Sequence, residues 1–299
     1  MEKKHWIRNS IILLILFFFI LFLYSFLIEP HLLKTKEIKI VDSHVTDGFH
    51  GLKIVHLSDI HYGRSILEKD LKRIQKEVNR LKPDLIFFTG DLFEHGISIT
   101  EEQKKSLTDF LKGMNAEIGK YAISGEDDYG RSDYSIILEN GDFVLLDEKY
   151  DSIYNEKNEV LFLAGMSTTS NGTKNAKDKT KPIFDYLNSL EPQTNEKGEV
   201  IHNPNKPSYS ILLMHEADSI QEIDYSKFQL VLAGHSHLGQ VRLPFIGGIY
   251  YPNGSKNFKN GEYLLEETKL YISPGLGTTR YPIRFLNIPQ INFYRLTNH

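Results

Sequence analysis

Residues 51–63 read GLKIVHLSDIHYG and residues 84–91 read DLIFFTGD, and in both stretches an apolar run ends in a polar tip. Short apolar runs of this kind predict buried strands, here at 51–57 and 84–89. Residues 66–81 lie between them and carry apolar side chains at helical spacing up to Pro83, which predicts a helix. This strand–helix–strand order indicates an α/β fold whose functional side chains follow the strand ends.

The rest of the chain extends the same pattern. Further strands are predicted at 37–41, 116–124, 143–146, 160–165, 209–215, 230–234 and 269–273, and a helix that starts on Thr100 is predicted at 100–113. Residues 167–206 are rich in Asn, Lys, Thr and Pro, which predicts a surface loop with one short helix at 182–190. We expect one layered α/β domain at 51–299, preceded by a cytoplasmic N-terminus at 1–9, a transmembrane anchor at 10–29 and a juxtamembrane linker at 30–50.

Composition excludes several classes of site and partner. The 299 residues are 40% hydrophobic and 25% charged, which is typical of a globular chain. A net charge of -4 gives no basic excess for a nucleic-acid backbone, so no nucleic-acid partner is expected. Because the chain has no cysteine, a metal would have to be bound by His, Asp, Glu, Asn or water.

Residues 11–28 form an apolar run that only Tyr24 and Ser25 interrupt, about the length that a bilayer core requires. A retained anchor is favoured over a cleaved signal sequence because no small-residue cleavage pattern follows the run. A buried core helix would have a polar face, and this run has none. Three basic residues precede the run: Lys3, Lys4 and Arg8. They predict a cytoplasmic N-terminus and an exported domain, although further lysines follow the run closely. The expected location is therefore the cell membrane, with a single pass and an extracytoplasmic domain.

Seven groups that can bind a metal follow the ends of predicted strands: Asp59, His61, Asp91, Glu126, His215, His235 and His237. Each short motif taken alone occurs by chance in many chains, and a lone histidine is more often a satisfied core or loop residue. Strand ends of an α/β sheet converge on one edge, however, so residues far apart in sequence become neighbours. Mixed carboxylate and imidazole ligands favour Mn, Fe, Zn or Co over calcium.

So many ligands suit two ions better than one. Alternation along an extended chain points Asp59 and His61 the same way, so both can contact one ion. Asp91 stands alone at the end of the most apolar strand and is the natural bridge between two ions. Paired divalent ions are a common device for displacement at phosphorus. The sequence therefore predicts a phosphoesterase centre.

The chain resembles the calcineurin-like metallophosphoesterases, and more closely their membrane-associated bacterial branch. The resemblance covers about residue 51 to the end and rests on LSDIH at 57–61, TGDL at 89–92, GEDD at 125–128, MHE at 214–216, AGHSHLGQ at 233–240 and the tail SPGLGT at 273–278. It implies a four-layer fold of two mixed β-sheets between helices. It also implies one ion bound by Asp59, His61, Asp91 and His237, and another bound by Asp91, Glu126, His215 and His235.

The third motif departs from the family pattern, which reads Gly-Asn-His-Asp or Gly-Asn-His-Glu. Glu126 replaces the Asn ligand and keeps an oxygen donor, whereas Asp127 replaces the catalytic His and is a poor proton donor at neutral pH. His95, four residues after Asp91, is a candidate replacement acid, although it also fits an ordinary surface histidine. Arg284 is the candidate phosphate contact, ahead of Arg64 and Arg280.

The leading hypothesis is hydrolysis of a phosphomonoester or phosphodiester by a metal-bridging hydroxide, with two divalent ions as cofactors. The substrate is expected to be phosphorylated and, given the anchor, associated with lipid or cell wall. The alternative is a catalytically weak or silent module that binds metal and phosphate at the cell envelope, which the Glu126 and Asp127 replacements motivate. Nucleic-acid processing is disfavoured by the absence of a basic excess.

Overall fold

The structure is a computed structural model that describes residues 2–170, 175–194 and 199–299, with side chains from residue 5 onward. Five α-helices occur in these ranges: α1 (Glu2–Leu27), α2 (Glu68–Leu81), α3 (Glu101–Lys112), α4 (Ser132–Asn140) and α5 (Ala176–Ser189). Helix α3 begins as the sequence predicts, because the Thr100 side chain accepts a hydrogen bond from the backbone N–H of Gln103.

Most strands lie in two six-stranded sheets. The first sheet has the spatial order β1 (Lys34–Val41), β16 (Gln290–Thr297), β2 (Lys53–Leu57), β3 (Leu85–Phe88), β4 (Gly119–Ala122) and β5 (Val144–Leu145). The second has the order β14 (Glu262–Leu265), β15 (Thr268–Ile272), β11 (Leu230–Ala233), β10 (Tyr209–Met214), β7 (Val160–Met166) and β6 (Lys149–Tyr154). Two small ribbons pair β12 (Arg242–Leu243) with β13 (Gly247–Gly248) and β8 (Gln193–Thr194) with β9 (Val200–Ile201).

Both sheets are mixed. Strands β2, β3, β4 and β5 run parallel, as do β7, β10, β11 and β15, while β16, β6 and β14 each add an antiparallel pairing. Alternate residues of β3 serve different cores: Leu85 and Phe87 pack between the sheets, and Ile86 and Phe88 pack beneath helices. Helices α2, α3 and α4 cover the first sheet, and α5 covers the second. The predicted four-layer fold is confirmed.

The structure also differs from the sequence interpretation in places. Helix α5 begins at Ala176 rather than at residue 182, because Asn175 caps it and its buried face already includes Ala176, Lys179 and Thr180. Strands β6, β14 and β16 and helix α4 were not predicted. Within the predicted linker, β1 pairs in parallel with β16 at the edge of the first sheet. Of the predicted loop at 167–206, residues 171–174 and 195–198 lie outside the described residues.

Helix α1 is long and apolar enough to cross a membrane. Within the stretch His5–His31, an 18-residue window reaches a mean hydropathy of 3.2, and 6% of that window is buried against the rest of the chain. Its C-terminal end is held by the domain, because the backbone N–H of Arg284 donates to the Ser25 carbonyl over 2.9 Å. The end of the apolar helix is thus fixed beside the C-terminal tail.

Candidate metal centre

The seven predicted ligands meet where the two sheets present the ends of their strands. Asp59 and His61 follow β2, Asp91 follows β3 and Glu126 follows β4 in the first sheet. From the second sheet, His215 follows β10, and His235 and His237 follow β11. Six of the seven side chains are buried, and the Glu126 side chain is 32% exposed. Convergence of strand ends therefore assembles this group, as the sequence predicts.

Backbone conformation at the centre is unusual. Five of the seven residues have left-handed φ angles, which residues other than glycine rarely adopt: Asp59 at 51°, His61 at 46°, Asp91 at 59°, His235 at 63° and His237 at 45°. Each such residue costs on the order of 1–2 kcal/mol, so the surrounding contacts must hold the loops in place. Gly90, at φ 95°, lets these loops approach closely, because a Cβ there would lie 2.4 Å from the backbone N of Gly125.

One group of four ligand atoms includes Asp91, Glu126, His215 and His235, all within 4.8 Å of one another. The Nε2 atom of His215 lies 2.7 Å from Glu126 Oε2 and 3.2 Å from Asp91 Oδ2. His235 Nδ1 lies 2.9 Å from the same Glu126 oxygen. Two imidazoles and two carboxylates therefore face one small volume.

A second group includes Asp59, His61 and His237, again within 4.8 Å. His61 Nε2 and His237 Nε2 are 3.0 Å apart, and His237 Nε2 lies 3.5 Å from Asp59 Oδ1. His61 Nε2 is also 3.7 Å from Asp91 Oδ2, the oxygen that faces His215. Asp91 thus adjoins both groups, in the position of a bridge.

Hydrogen bonds to backbone carbonyls orient two of the imidazoles. His215 Nδ1 donates to the Thr89 carbonyl over 2.6 Å, and His235 Nε2 donates to the Asn253 carbonyl over 2.7 Å. The opposite nitrogens, His215 Nε2 and His235 Nδ1, are buried and point inward at the carboxylate oxygens of the group, within 2.7 Å and 2.9 Å of Glu126 Oε2. A ring nitrogen held in this way presents its lone pair to a metal. The donor set, with imidazole nitrogens and carboxylate oxygens facing one small volume, fits divalent ions.

The electrostatics of the centre also call for cations. Burial, together with Glu126, raises the pKa of Asp91 well above its usual value. Burial alone would lower the pKa of His215, but Asp91 and Glu126 raise it well above the ordinary value. Burial lowers the pKa of His61 to about 3. The neighbouring carboxylates of Asp91 and Glu126 need positive charge between them, which protons or metal ions can supply.

Asp128 holds together the backbone loops that carry two of the candidate ligands. Its place in the GEDD motif did not predict this role. Its carboxylate accepts hydrogen bonds from the backbone N–H of Asp91 over 2.6 Å, Leu92 over 2.9 Å and Gly125 over 3.2 Å. It thereby joins the loops after β3 and β4, which carry Asp91 and Glu126. The sequence could not predict this role, because it depends on the proximity of Asp128 to Asp91 in the folded chain.

Asp127 forms a pair with His95 at the edge of the centre, which we call the His95–Asp127 pair. His95 Nδ1 and Asp127 Oδ1 lie 2.7 Å apart, and the other Asp127 oxygen is 3.6 Å from His61 Nδ1. The Asp127 side chain is 7% exposed, and the His95 side chain is 87% exposed. Burial raises the pKa of Asp127, and the hydrogen bond from His95 opposes that rise. The structure thus places Asp127 beside His61 and places His95 on the outer side of Asp127.

Arg284, the predicted phosphate contact, has a different role. It is completely buried, and its N–H groups donate to backbone carbonyls of the tail: Pro274, Gly275, Gly277 and Asn287. Its guanidinium has no exposed surface that a substrate phosphate could contact, so the expectation of a phosphate contact is corrected. Burial, then the charges of His61 and Arg284, lower the pKa of His237 well below its usual value, which favours the neutral imidazole that binds metals.

A cavity of about 490 Å³ lies over the centre. His61, Asp91, Glu126, His235 and His237 form its floor, and Arg280 is the basic side chain of its described lining. The walls are largely apolar and are formed by Val241, Ile249, Tyr250, Pro252, Tyr281 and Ile283. A ligand with a charged end and an apolar body would match this distribution.

Comparison with known proteins identifies the family. The model of the calcineurin-like phosphoesterases matches residues 52–239, which carry all seven predicted ligands. The chain belongs to the calcineurin-like phosphoesterase family. It is 31% identical to an uncharacterised Bacillus subtilis metallophosphoesterase, YkuE, over 91% of this chain and 88% of that protein. The resemblance inferred from the motifs is therefore confirmed, and the chain is a member of a family of metal-dependent phosphoester hydrolases.

Two further relatives of this calcineurin-like phosphoesterase carry informative names. The UDP-2,3-diacylglucosamine pyrophosphatase LpxG of Chlamydia muridarum is 26% identical over 90% of each chain. A Danio rerio protein named as a transmembrane protein with a metallophosphoesterase domain is 25% identical over 86% of this chain and 56% of its own length. An apolar segment joined to a phosphoesterase domain thus has a counterpart in a named relative.

Proposed function

We propose that this chain hydrolyses a phosphomonoester or phosphodiester and uses two divalent ions, Mn, Fe, Zn or Co. The observation that carries the proposal is the pair of adjoining ligand groups that meet at Asp91. Buried imidazole nitrogens that point at the carboxylates of Glu126 and Asp91 support it further. Asp59, His61, Asp91 and His237 would hold one ion, and Asp91, Glu126, His215 and His235 the other. Bound there, the ions would supply the positive charge that polarises a phosphoryl group and acidifies water.

The protein's own residues perform the remaining tasks. The carbonyls of Thr89 and Asn253 fix His215 and His235 so that their opposite nitrogens face Glu126 in the proposed ion site. Arg280 lies in the lining and can donate to phosphoryl oxygens. The apolar walls exclude water from the bound ester and so strengthen the charge interactions at the floor.

The His95–Asp127 pair replaces the missing catalytic histidine in this proposal. Asp127 binds His95 through Nδ1 and leaves Nε2 to carry a proton to the leaving group. The exposure of His95 allows it to recover a proton from solvent. Asp127 is itself fixed, because its backbone N–H donates to Asp91 Oδ1 over 3.0 Å. Asp127 is thus a positioning residue, and His95 is the proton donor.

The proposed location is a membrane, with α1 as a single-pass anchor and the domain outside the cytoplasm. The helix of mean hydropathy 3.2 and the basic residues before it support this placement. We include a lipid-linked or cell-wall-linked phosphoester among the substrates, because a relative named for a diacylated sugar nucleotide aligns along most of the chain. Nucleic acid is not among the proposed partners, given the net charge of -4.

The test is turnover by the full chain in detergent after loading with Mn. An aryl phosphodiester and an aryl phosphomonoester are assayed beside the Asp91→Ala variant. We expect metal-dependent release of the phenol by the wild-type chain and none above background by the variant. Equal rates in the two proteins would contradict the proposal.

A second candidate is a weak or silent module that binds metal and phosphate. It is favoured by one observation, the presence of Glu126 and Asp127 where the family has Asn and His. The Glu126→Asn, Asp127→His double variant separates the two candidates. A wild-type chain whose turnover is weak or absent and rises strongly in this variant would support the binding module, whereas a wild-type chain that turns over substrate and gains nothing in the variant would exclude it.

A further inference from the structure

The ribbon of β12 and β13 exposes an apolar tip beside the metal centre. Between its two strands lie Pro244, Phe245 and Ile246; Phe245 is fully exposed and Ile246 is 74% exposed. Phe245 also has a left-handed φ of 65°, an uncommon conformation for an aromatic residue. A phenylalanine presented to solvent in this way indicates a surface that is covered in the working protein.

The apolar surface continues from the tip to the rim of the cavity. Ile249, Tyr250 and Tyr281 are each at least half exposed and also line the cavity above the ligands. Ile249 is tied to the ribbon, because its backbone N–H donates to the Val241 carbonyl over 3.1 Å. We call the residues Phe245, Ile246, Ile249, Tyr250 and Tyr281 the apolar rim. Whatever covers the apolar rim therefore also faces the cavity mouth.

The apolar rim lies close to the end of the membrane-spanning helix. Arg242, at the base of the ribbon, donates its backbone N–H to the Phe285 carbonyl over 2.9 Å. The preceding residue, Arg284, donates its backbone N–H to Ser25 of α1 over 2.9 Å. Because segments bonded in this way lie about 5 Å apart, the base of the ribbon is within roughly 10 Å of the helix end.

Basic and aromatic side chains alternate around the apolar rim. Arg280 and Lys256 lie 5.4 and 5.7 Å from the centre of the Tyr250 ring, and Lys259 lies 5.6 Å from that of Tyr251. Tyrosine and basic residues are typical of protein surfaces at the headgroup level of a bilayer. Their positive charge would attract the anionic lipids of the bilayer beside which the end of α1 lies.

We propose that the apolar rim inserts into the boundary between headgroups and acyl chains of the membrane that α1 spans. The cavity mouth then opens onto the bilayer surface, and the substrate is a phosphoester at the head of a membrane lipid, with its apolar part along the cavity wall. The membrane contact stands independently of catalysis. The substrate class rests on the function proposed above.

Depth in the bilayer tests the membrane contact directly. Because the chain has no cysteine, Phe245→Cys provides a single labelling site in the full chain, and Ile136→Cys on α4, 54% exposed, provides a matched control. Each variant carries a nitroxide label and is reconstituted in vesicles of phosphatidylcholine and phosphatidylglycerol. We expect the label at 245 to collide more with oxygen and less with a water-soluble nickel chelate than the label at 136.

Two results would overturn the membrane contact. Equal collision profiles at 245 and 136 would place the ribbon in water. Shielding of the label at 245 from both reagents, with spin–spin broadening that disappears on dilution with unlabelled protein, would show that a second copy covers the apolar rim.

The substrate class is tested by measuring the release of the same leaving group, para-nitrophenol, from a lipid in vesicles and from a soluble ester. Phe245→Asp should lower release of para-nitrophenol from a vesicle-borne diacylglycerol para-nitrophenyl phosphate by about 10-fold or more, the loss expected when one buried aromatic side chain is withdrawn from lipid. The same variant should hydrolyse soluble bis(para-nitrophenyl) phosphate at the wild-type rate. Equal effects on both substrates would contradict the lipid substrate, whereas absence of wild-type turnover on both would contradict the proposed function and leave the depth result standing.

Discussion

The metal centre and the His95–Asp127 pair are neighbours built in opposite ways. Five of the seven candidate ligands have left-handed φ angles at strand ends, and backbone carbonyls orient two of the four imidazoles. The pair depends on one side-chain hydrogen bond, and its histidine is 87% exposed. The framework of two sheets thus positions the candidate metal ligands, whereas a loop supplies the proposed proton donor. A donor held this loosely can be exchanged without rebuilding the centre.

The largest effect is expected from Asp91→Ala, which removes the residue that belongs to one ligand group and adjoins the other. Turnover should fall by more than about 10³-fold, since removal of even one charge-stabilising donor costs about 10² to 10³. Metal content should fall with it. Asp109→Ala, on the exposed face of α3, is the matched control and should retain both. Retention of metal and activity by Asp91→Ala would break the assignment of the bridge.

A smaller and selective loss is expected from His95→Ala. Hydrolysis of an alkyl phosphoester should fall by about 10²-fold, the lower end of what general acid catalysis contributes. An activated nitrophenyl ester needs little proton transfer and should be hydrolysed nearly as before. His202→Ala, at an exposed histidine, serves as the control. An equal loss on both esters would show that His95 acts on structure rather than on the leaving group.

Asp128→Asn separates support of the centre from chemistry. The amide can no longer accept hydrogen bonds from all three backbone N–H groups, so metal affinity should fall by about 10- to 100-fold. Calorimetric titration with Mn measures the affinity. With saturating metal, turnover should return to near the wild-type value. A permanent loss of turnover with unchanged affinity would contradict this role.

The smallest effect is expected from Arg280→Ala. Loss of one charge-assisted contact at a solvent-facing position should raise KM for a soluble aryl phosphodiester about 10-fold, equivalent to about 1.4 kcal/mol, with kcat little changed. Arg280→Lys should recover part of the affinity, and Arg80→Ala, on the exposed end of α2, should leave KM unchanged. An unchanged KM in Arg280→Ala would remove Arg280 from the substrate site.

Much of the fold and of the ligand group could be predicted from the sequence, because both depend on short-range patterns. The apolar runs before Asp59, Asp91, His215 and His235 each form a strand that ends just before those residues. Strands β1 and β16 carry weaker patterns, since they lie toward one edge of the sheet and their pairing joins residue 34 with residue 290. Such a long-range contact leaves no local signal.

The role of Arg284 could not be predicted for a related reason. A single arginine near a phosphoesterase motif fits a phosphate contact, and its actual partners are carbonyls of a tail loop that only the folded chain brings together. The same is true of Asp128, whose carboxylate oxygens accept hydrogen bonds from the loops that follow two different strands. Residue type indicated chemistry well where strand ends fixed the position, and poorly where tertiary packing did.

Metal content of the purified full chain tests the central claim most directly. The protein is stripped with a chelator, reloaded with Mn, dialysed and analysed by mass spectrometry for metal per chain, beside Asp91→Ala. Two adjoining ligand groups that meet at Asp91 predict two equivalents in the wild-type chain and fewer in the variant. One equivalent or none in the wild-type chain would contradict a two-metal centre.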